Sequence, residues 1–239
     1  MAGHSKWAKI KRDKGANDAK RGAIFTRIGK QIAIAARKGT DPSMNPALAL
    51  AIEKAKAANM PNSNIQRAID RVNDKNAAAL EEITYEAYGP GGAGLIIEAA
   101  TDNRNRTLPE IKTALVKNGG QIADSGSVMF QFMRRGVIRV DSTGEEALLT
   151  VLDAGAEDAN EEENEIIVYT NQKDLAKVRQ SIIDAGLKVI EAELQYIANN
   201  EVEINDSEVA RKMIKLMDVL DEVDDIVNVY TNADITVEV

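Results

Sequence analysis

Val168-Tyr169-Thr170-Asn171 recurs downstream as Val229-Tyr230-Thr231-Asn232, and the segments around these two copies decide the architecture. Each is a short apolar and aromatic run that ends on Thr-Asn, the composition of a strand running into a turn. Around the first copy, Val137–Val140 reads as a strand, Glu145–Leu152 as a helix, Ile166–Thr170 as a strand, Leu175–Ala185 as a helix and Lys188–Ile197 as a strand. A further short strand is expected between Asn160 and Ile166. Asp153-Ala154-Gly155 and Asp184-Ala185-Gly186 terminate the two helices in the same way, glycine being the residue that leaves a helix at least cost. The order is that of a βαββαβ, ferredoxin-like unit over residues 135–204.

On either side the elements are incomplete alone. Ile83–Tyr88 and Leu95–Ala100 read as strands flanking Gly89-Pro90-Gly91-Gly92, and Val128–Phe132 as a third. Between them lies a helix for which Thr107 and Glu110 suggest a capping box around Pro109, ending at Gly119-Gly120. The helix Val209–Val219 and the strand Ile226–Tyr230, which carries the second copy of the motif, supply what that sheet lacks. Residues 78–134 with 205–239 therefore read as a discontinuous α+β domain, and residues 135–204 as an α+β domain inserted into it.

Upstream the period is helical. Phe25, Ile28, Ile32 and Ala35 form one stripe, Leu48, Ala51, Ile52 and Ala55 a second, and Ile65, Ala68, Ile69 and Val72 a third. Gly39 and Asp41-Pro42 stop the first helix, Asn45-Pro46 caps and starts the second, and Ser63 with Gln66 has capping-box spacing for the third. The fold class is α+β: an N-terminal three-helix domain within residues 1–77, followed by two α+β, ferredoxin-like domains, one inserted in the other.

The charge is divided along the same line. The net charge of -8 conceals sixteen Lys+Arg against six acids in residues 1–77, a balance of +10, and a balance of -18 over residues 78–239. Such asymmetry points to a polyanionic partner for the basic part. No run approaches the ~20 apolar residues of a membrane span, and neither a secretory signal nor a transit peptide is visible. There is no cysteine, which excludes disulfides and thiolate metal sites and fits a cytoplasmic location.

Residues 1–38 hold eleven Lys+Arg against two acids. The candidate nucleic-acid contacts are His4, Lys6, Trp7, Lys9, Lys11, Arg12, Lys14, Lys20, Arg21, Arg27 and Lys30, because lysine and arginine neutralise phosphates and release counterions. Trp7 either stacks on an exposed base or staples the arm to the bundle. A second candidate contact combines Tyr88, Gly91 and Gly92 of the glycine-rich hairpin with Arg104 and Arg106, which either meet an anion at a helix start or only cap it beside Asp102. Arg134, Arg135 and Arg139 make a weaker positive patch. The acidic run Glu157–Glu165 lacks EF-hand alternation and reads as a solvated loop. A single histidine without cysteine makes neither a metal site nor a catalytic triad. No catalytic residue, metal, cofactor or small-molecule substrate is expected.

Met1-Ala2-Gly3-His4-Ser5-Lys6-Trp7, Lys14-Gly15-Ala16, Asp18-Ala19-Lys20-Arg21-Gly22, Asn59-Met60-Pro61, Tyr88-Gly89-Pro90-Gly91-Gly92, Asp102-Asn103-Arg104-Asn105-Arg106-Thr107, Gly126-Ser127-Val128 and Tyr230-Thr231-Asn232 together resemble the YebC/PmpR family, essentially end to end. The resemblance implies three domains, cytoplasmic residence in bacteria and no catalytic activity. Members are described as DNA-binding transcriptional regulators. Others act on the ribosome, some by relieving stalling at proline runs. Asp13, Ala47-Leu48-Ala49 and Pro61-Asn62-Ser63 depart from the family pattern, each with less positive charge than usual, which shifts the expected contact toward the arm. The expectation is a ribosome- and rRNA-associated translation factor, with a promoter-DNA-binding transcriptional regulator as the alternative.

Overall fold

The computed structural model describes residues 18–74 and 78–237, excepting the side chains of residues 18–21. Three helices open the described chain: α1 (Asp18–Ala36), α2 (Pro46–Ala57) and α3 (Asn62–Asp70). Ile28 and Ile32 from α1, Leu48 and Ala55 from α2, and Ile65 and Ile69 from α3 close one apolar core, so the three stripes do face each other. Asn45 caps α2 as expected, its side chain accepting from the Leu48 amide at 3.2 Å. The cap of α3 differs. Its N-cap is Pro61 with no side-chain bond, and Gln66 donates along the helix to Asp70 at 2.9 Å instead of reaching back. Val72 leaves the apolar face in a 3-10 turn and is 38% exposed.

The middle domain is built on β1 (Glu81–Tyr88), β2 (Gly94–Thr101), β3 (Gln121–Ile122) and β9 (Ile226–Thr231), in the antiparallel order β3-β1-β2-β9. Two helices, α4 (Arg104–Lys117) and α7 (Ser207–Asp221), cover one face through Ile111, Leu115, Met213, Leu216 and Leu220. Both layers of the α+β build are present, but the middle sheet starts from the β1–β2 hairpin, which makes successive strands neighbours rather than crossing over. Two short strands, β8 (Val202–Ile204) and β10 (Ala233–Ile235), pair in parallel beside it. They and β3 are too short to leave a period in the sequence.

The inserted domain runs β4 (Phe132–Val140), α5 (Glu145–Asp153), β5 (Asp158–Glu162), β6 (Glu165–Asn171), α6 (Leu175–Asp184) and β7 (Val189–Ala198). Its sheet order β5-β6-β4-β7 is the ferredoxin-like one. Both helices lie on one face, over Ile138, Val140, Ile166 and Val168. Two expectations are corrected here. Val128–Phe132 is not a separate strand: Met129–Gln131 form a 3-10 turn and β4 begins at Phe132. The expected boundary after residue 134 therefore falls inside β4, whose first residue packs with Ile96 and Val128 of the middle domain. Nor is Glu157–Glu165 a plain loop. Most of it is the edge strand β5 with its turn, paired residue for residue with β6.

The repeated motif ends a strand in each of two domains. Thr170 pairs with Gly136 across β6 and β4, and Thr231 pairs with Leu95 while its hydroxyl donates to the Gly94 carbonyl at 3.1 Å. The two copies differ in detail: Thr170 stands over Gly136, whereas Thr231 stands opposite Leu95. A Cβ on Gly136 would run into the Thr170 hydroxyl and stand 3.0 Å from Leu175 Cβ. Gly136→Ala should destabilise the protein by about 1–3 kcal/mol through overpacking, read as a lower urea midpoint with an unchanged denaturant slope.

Candidate nucleic-acid interface

Of the eleven expected contacts, His4, Lys6, Trp7, Lys9, Lys11, Arg12 and Lys14 lie outside the described residues, as do the side chains of Lys20 and Arg21. The remaining two are engaged inside the protein. Arg27 Nη1 donates to Asp221 Oδ1 at 3.3 Å, and Lys30 Nζ to Asp225 Oδ1 and the Asp224 carbonyl, both at 2.7 Å. The Lys30 side chain is 12% exposed. Arg27 and Lys30 thus seat α1 on the acidic turn after α7 and do not present their charge to an outside phosphate. The sequence placed them correctly off the apolar stripe of α1 but could not show which domain that second face would meet.

Asp225 is the centre of this joint. It also accepts from Arg106 Nη2 at 2.8 Å, from Thr101 Oγ1 at 3.0 Å and from Thr107 Oγ1 at 2.6 Å. Burial opposes its ionisation, but the bonds from Lys30, Thr107, Arg106 and Thr101 prevail and hold the carboxyl far below the usual carboxylate range. Thr107 is therefore a ligand of Asp225 and not a helix cap. Asn103 caps α4, accepting from the amides of Asn105 and Arg106 at 3.0 and 3.3 Å.

The second candidate contact separates into two places. Arg104 pairs with Glu81 at 2.5 Å and Arg106 with Asp102 at 3.2 Å, at the end of the hairpin where Glu81 faces Thr101. Tyr88, Gly91 and Gly92 lie at the other end, where Tyr88 faces Gly94; seven residues of antiparallel strand put the two ends about 24 Å apart. Tyr88 donates to the Ser127 carbonyl at 3.0 Å, and Gly91 and Gly92 hold left-handed φ angles of 77° and 79° in an exposed turn. Arg104 and Arg106 remain 65% and 54% exposed, so each keeps a solvent-facing side.

Residues 86 and 126–129 form a site that sequence reasoning missed. The Glu86 carboxylate accepts from the amides of Gly126, Val128 and Met129 at 2.5, 2.6 and 2.7 Å. Burial raises its pKa, but those three backbone bonds outweigh that and leave it below the usual value. Gly126-Ser127-Val128 is therefore moulded around a buried anion, and the turn that follows presents Phe130, 73% exposed. The only signal was an acid at an inward position of an apolar strand.

Residues 5–75 match the TACO1/YebC protein N-terminal domain, and residues 80–233 the TACO1/YebC second and third domain. The chain belongs to the TACO1/YebC family. TACO1/YebC relatives include a probable transcriptional regulatory protein of Halothermothrix orenii, 46% identical over the whole of this chain and 97% of its own length. One of Roseiflexus castenholzii, with the same description, is 48% identical over the same shares. The crystal structure of a conserved hypothetical protein from Aquifex aeolicus superposes with a TM-score of 0.86 at 39% identity, covering 93% of each chain. Among the described residues no helix is long and apolar enough to cross a membrane.

Two outcomes follow from the buried acids. Asp225→Asn should cost about 3–5 kcal/mol at neutral pH, because it leaves Lys30 and Arg106 facing an uncharged amide. A carboxyl whose folded pKa is depressed stabilises the fold above its unfolded value, near 3.9, and loses that contribution as pH falls through the folded value. The gap between wild type and Asp225→Asn, followed by thermal melts, should therefore be full at pH 7 and close only in strong acid. Glu86→Ala should strand the buried Val128 amide at about 1–3 kcal/mol and free the part-buried amides of Gly126 and Met129, visible as faster hydrogen exchange at residues 126–129.

Proposed function

We propose that this TACO1/YebC protein is a non-enzymatic, cytoplasmic regulator of gene expression that grips nucleic acid with its basic arm and acts on the ribosome through ribosomal RNA. The observation that carries this reading is the polarity of charge. Seven Lys+Arg face two acids in residues 1–21, upstream of the internally engaged Arg27 and Lys30, while residues 78–239 carry -18. A phosphate backbone is attracted to the first and repelled by the second, so contact is confined to the N-terminal end.

RNA is favoured over a promoter by what the bundle displays. Reading duplex DNA takes a helix with several outward side chains free to meet base edges. On α3 the outward groups bond one another, Gln66 to Asp70 at 2.9 Å and Arg67 to Asn64 at 3.4 Å. An arginine- and lysine-rich arm that tracks a folded RNA backbone needs no such helix. The second reading, a DNA-binding transcriptional regulator, is favoured by the descriptions of the relatives.

Deleting residues 1–19 should abolish binding to ribosomes and to RNA while circular dichroism and melting show both α+β domains intact. If six phosphates are engaged, log K should fall against log salt with a slope of about -5. Crosslinking in cells followed by sequencing separates the two readings: ribosomal RNA with co-sedimentation supports translation, and enriched promoter DNA supports transcription. Salt-insensitive binding by the deleted protein would overturn both.

A further inference from the structure

The inserted sheet has one face that its own helices leave alone. With α5 and α6 over Ile138, Val140, Ile166 and Val168, the opposite face carries Val137, Ile167 and Tyr169, among which the described apolar neighbour is Ile197. These three are nevertheless only 1%, 0% and 3% exposed. Burial pushes the Tyr169 hydroxyl up to about 12, with Glu162 and Asp158 adding to the effect. The register sets Asp158 opposite Tyr169, Asn160 opposite Ile167 and Glu162 opposite Glu165. All therefore project from this same face. Asp158 Oδ2 and Asn160 Nδ2 are buried with no hydrogen-bond partner among the described residues, a costly state for a polar atom. On β7, Glu191 and Glu193 stand opposite Arg139 and Val137, but Lys54 and Arg139 already pair with them, so the acidic side of the face is β5. The face is an apolar centre with an acidic edge on β5 and ion-paired charges on β4 and β7.

We propose that this face is the docking surface for the chain's own basic arm, residues 1–17, and that a nucleic-acid phosphate backbone competes with it for the arm. The inference rests on the reading of the arm as the nucleic-acid contact. Charge selects the occupant. Residues 1–17 hold Lys6, Lys9, Lys11, Arg12 and Lys14 against Asp13 alone, with Trp7 and Ile10 interspersed, the complement of an apolar centre flanked by the Asp158 and Glu162 carboxylates of β5. Position agrees. Ile24 and Ile28 of α1 line a cleft shared with Arg139, Val189, Ile190 and Glu191, so α1 packs beside the β7 edge of this sheet, and its first residue, six before Ile24, is roughly 9 Å along the helix from that contact. Reach is ample: seventeen residues extend up to about 55 Å, and four strands span only about 15 Å. The acidic strand β5 then serves as a phosphate mimic. Weak polyanions fail to displace the arm, and a dense phosphate backbone succeeds, which sharpens selectivity at the cost of apparent affinity.

The chain has no cysteine and one tryptophan, so docking can be read in the full-length protein. Asn164→Cys, in the exposed turn between β5 and β6, is labelled with bimane, a fluorophore that tryptophan quenches at contact. Quenching by Trp7 is expected in the free protein and should be lost in Trp7→Phe. It should also be lost when Lys6, Lys9, Lys11 and Lys14 are changed together to glutamine, which leaves the sheet untouched. Asp158→Lys with Glu162→Lys should release the arm and raise affinity for an oligouridylate several-fold. Adding the oligouridylate to the unaltered arm should relieve the quenching in step with binding measured by anisotropy. Emission identical with and without Trp7→Phe, or quenching that survives the four lysine changes, overturns the docking. Quenching that persists once anisotropy shows saturation overturns the competition. An oligouridylate that never binds instead refutes the nucleic-acid reading, while the Trp7-dependent quenching still reports the docked arm.

Discussion

The carboxylate of Asp225 is where the separate parts of this chain are tied together. Lys30 reaches it from the helical bundle, Arg106 and Thr107 from α4, and Thr101 from the end of β2, all within 3.0 Å. Its own backbone carbonyl accepts from the Ala100 amide at 2.8 Å, so the hub is fixed to the sheet edge as well. A buried anion is tolerated only where donors surround it. Of those donors, Lys30 is the one contributed by the helical bundle, while Thr101, Arg106 and Thr107 belong to the middle domain. The helical domain is seated on the acidic body by this requirement, with Arg27–Asp221 beside it. On the inserted domain, Lys54 meets Glu191 and Glu193, and Arg179 meets Glu53.

The same requirement separates two kinds of positive charge that look alike in composition. Arg27 and Lys30 belong to the basic N-terminal region by count, yet they answer internal acids. The cations left for the proposed phosphate contact are those that precede them in the sequence, from Lys6 to Arg21. Lys54 shows the same behaviour: burial disfavours its ammonium, but Glu193 and Glu191 outweigh that and leave its pKa raised. The protein uses opposite charge to hold its domains together.

Much was legible along the chain because it depends on local patterns. The three helical stripes became the bundle core, and the βαββαβ order of residues 135–204 became a ferredoxin-like sheet. The repeated Val-Tyr-Thr-Asn marked strand ends in two domains, at β6 and β9, although only the first places its threonine over a glycine of the next strand. Caps were read less well. Asn45 acts as expected, but Ser63 and Thr107 satisfy the spacing of a capping box without making one, since Pro61 and Asn103 start those helices earlier. Spacing alone does not say which of two adjacent candidates takes a backbone amide.

The amino-acid sequence by itself determined the fold class, the family and the opposition of a basic head to an acidic body, because periodicity, motif and charge count are properties of neighbours in the chain. Only the tertiary structure decided which cations were already engaged, that the Tyr88 and Arg104 candidates lie at opposite ends of one hairpin, and that Glu86 and Asp225 are buried anions with full sets of donors. Those facts depend on residues as far apart as Lys30 and Asp225 meeting across a domain boundary. Such meetings are fixed by the packing of whole elements and leave no trace in local composition.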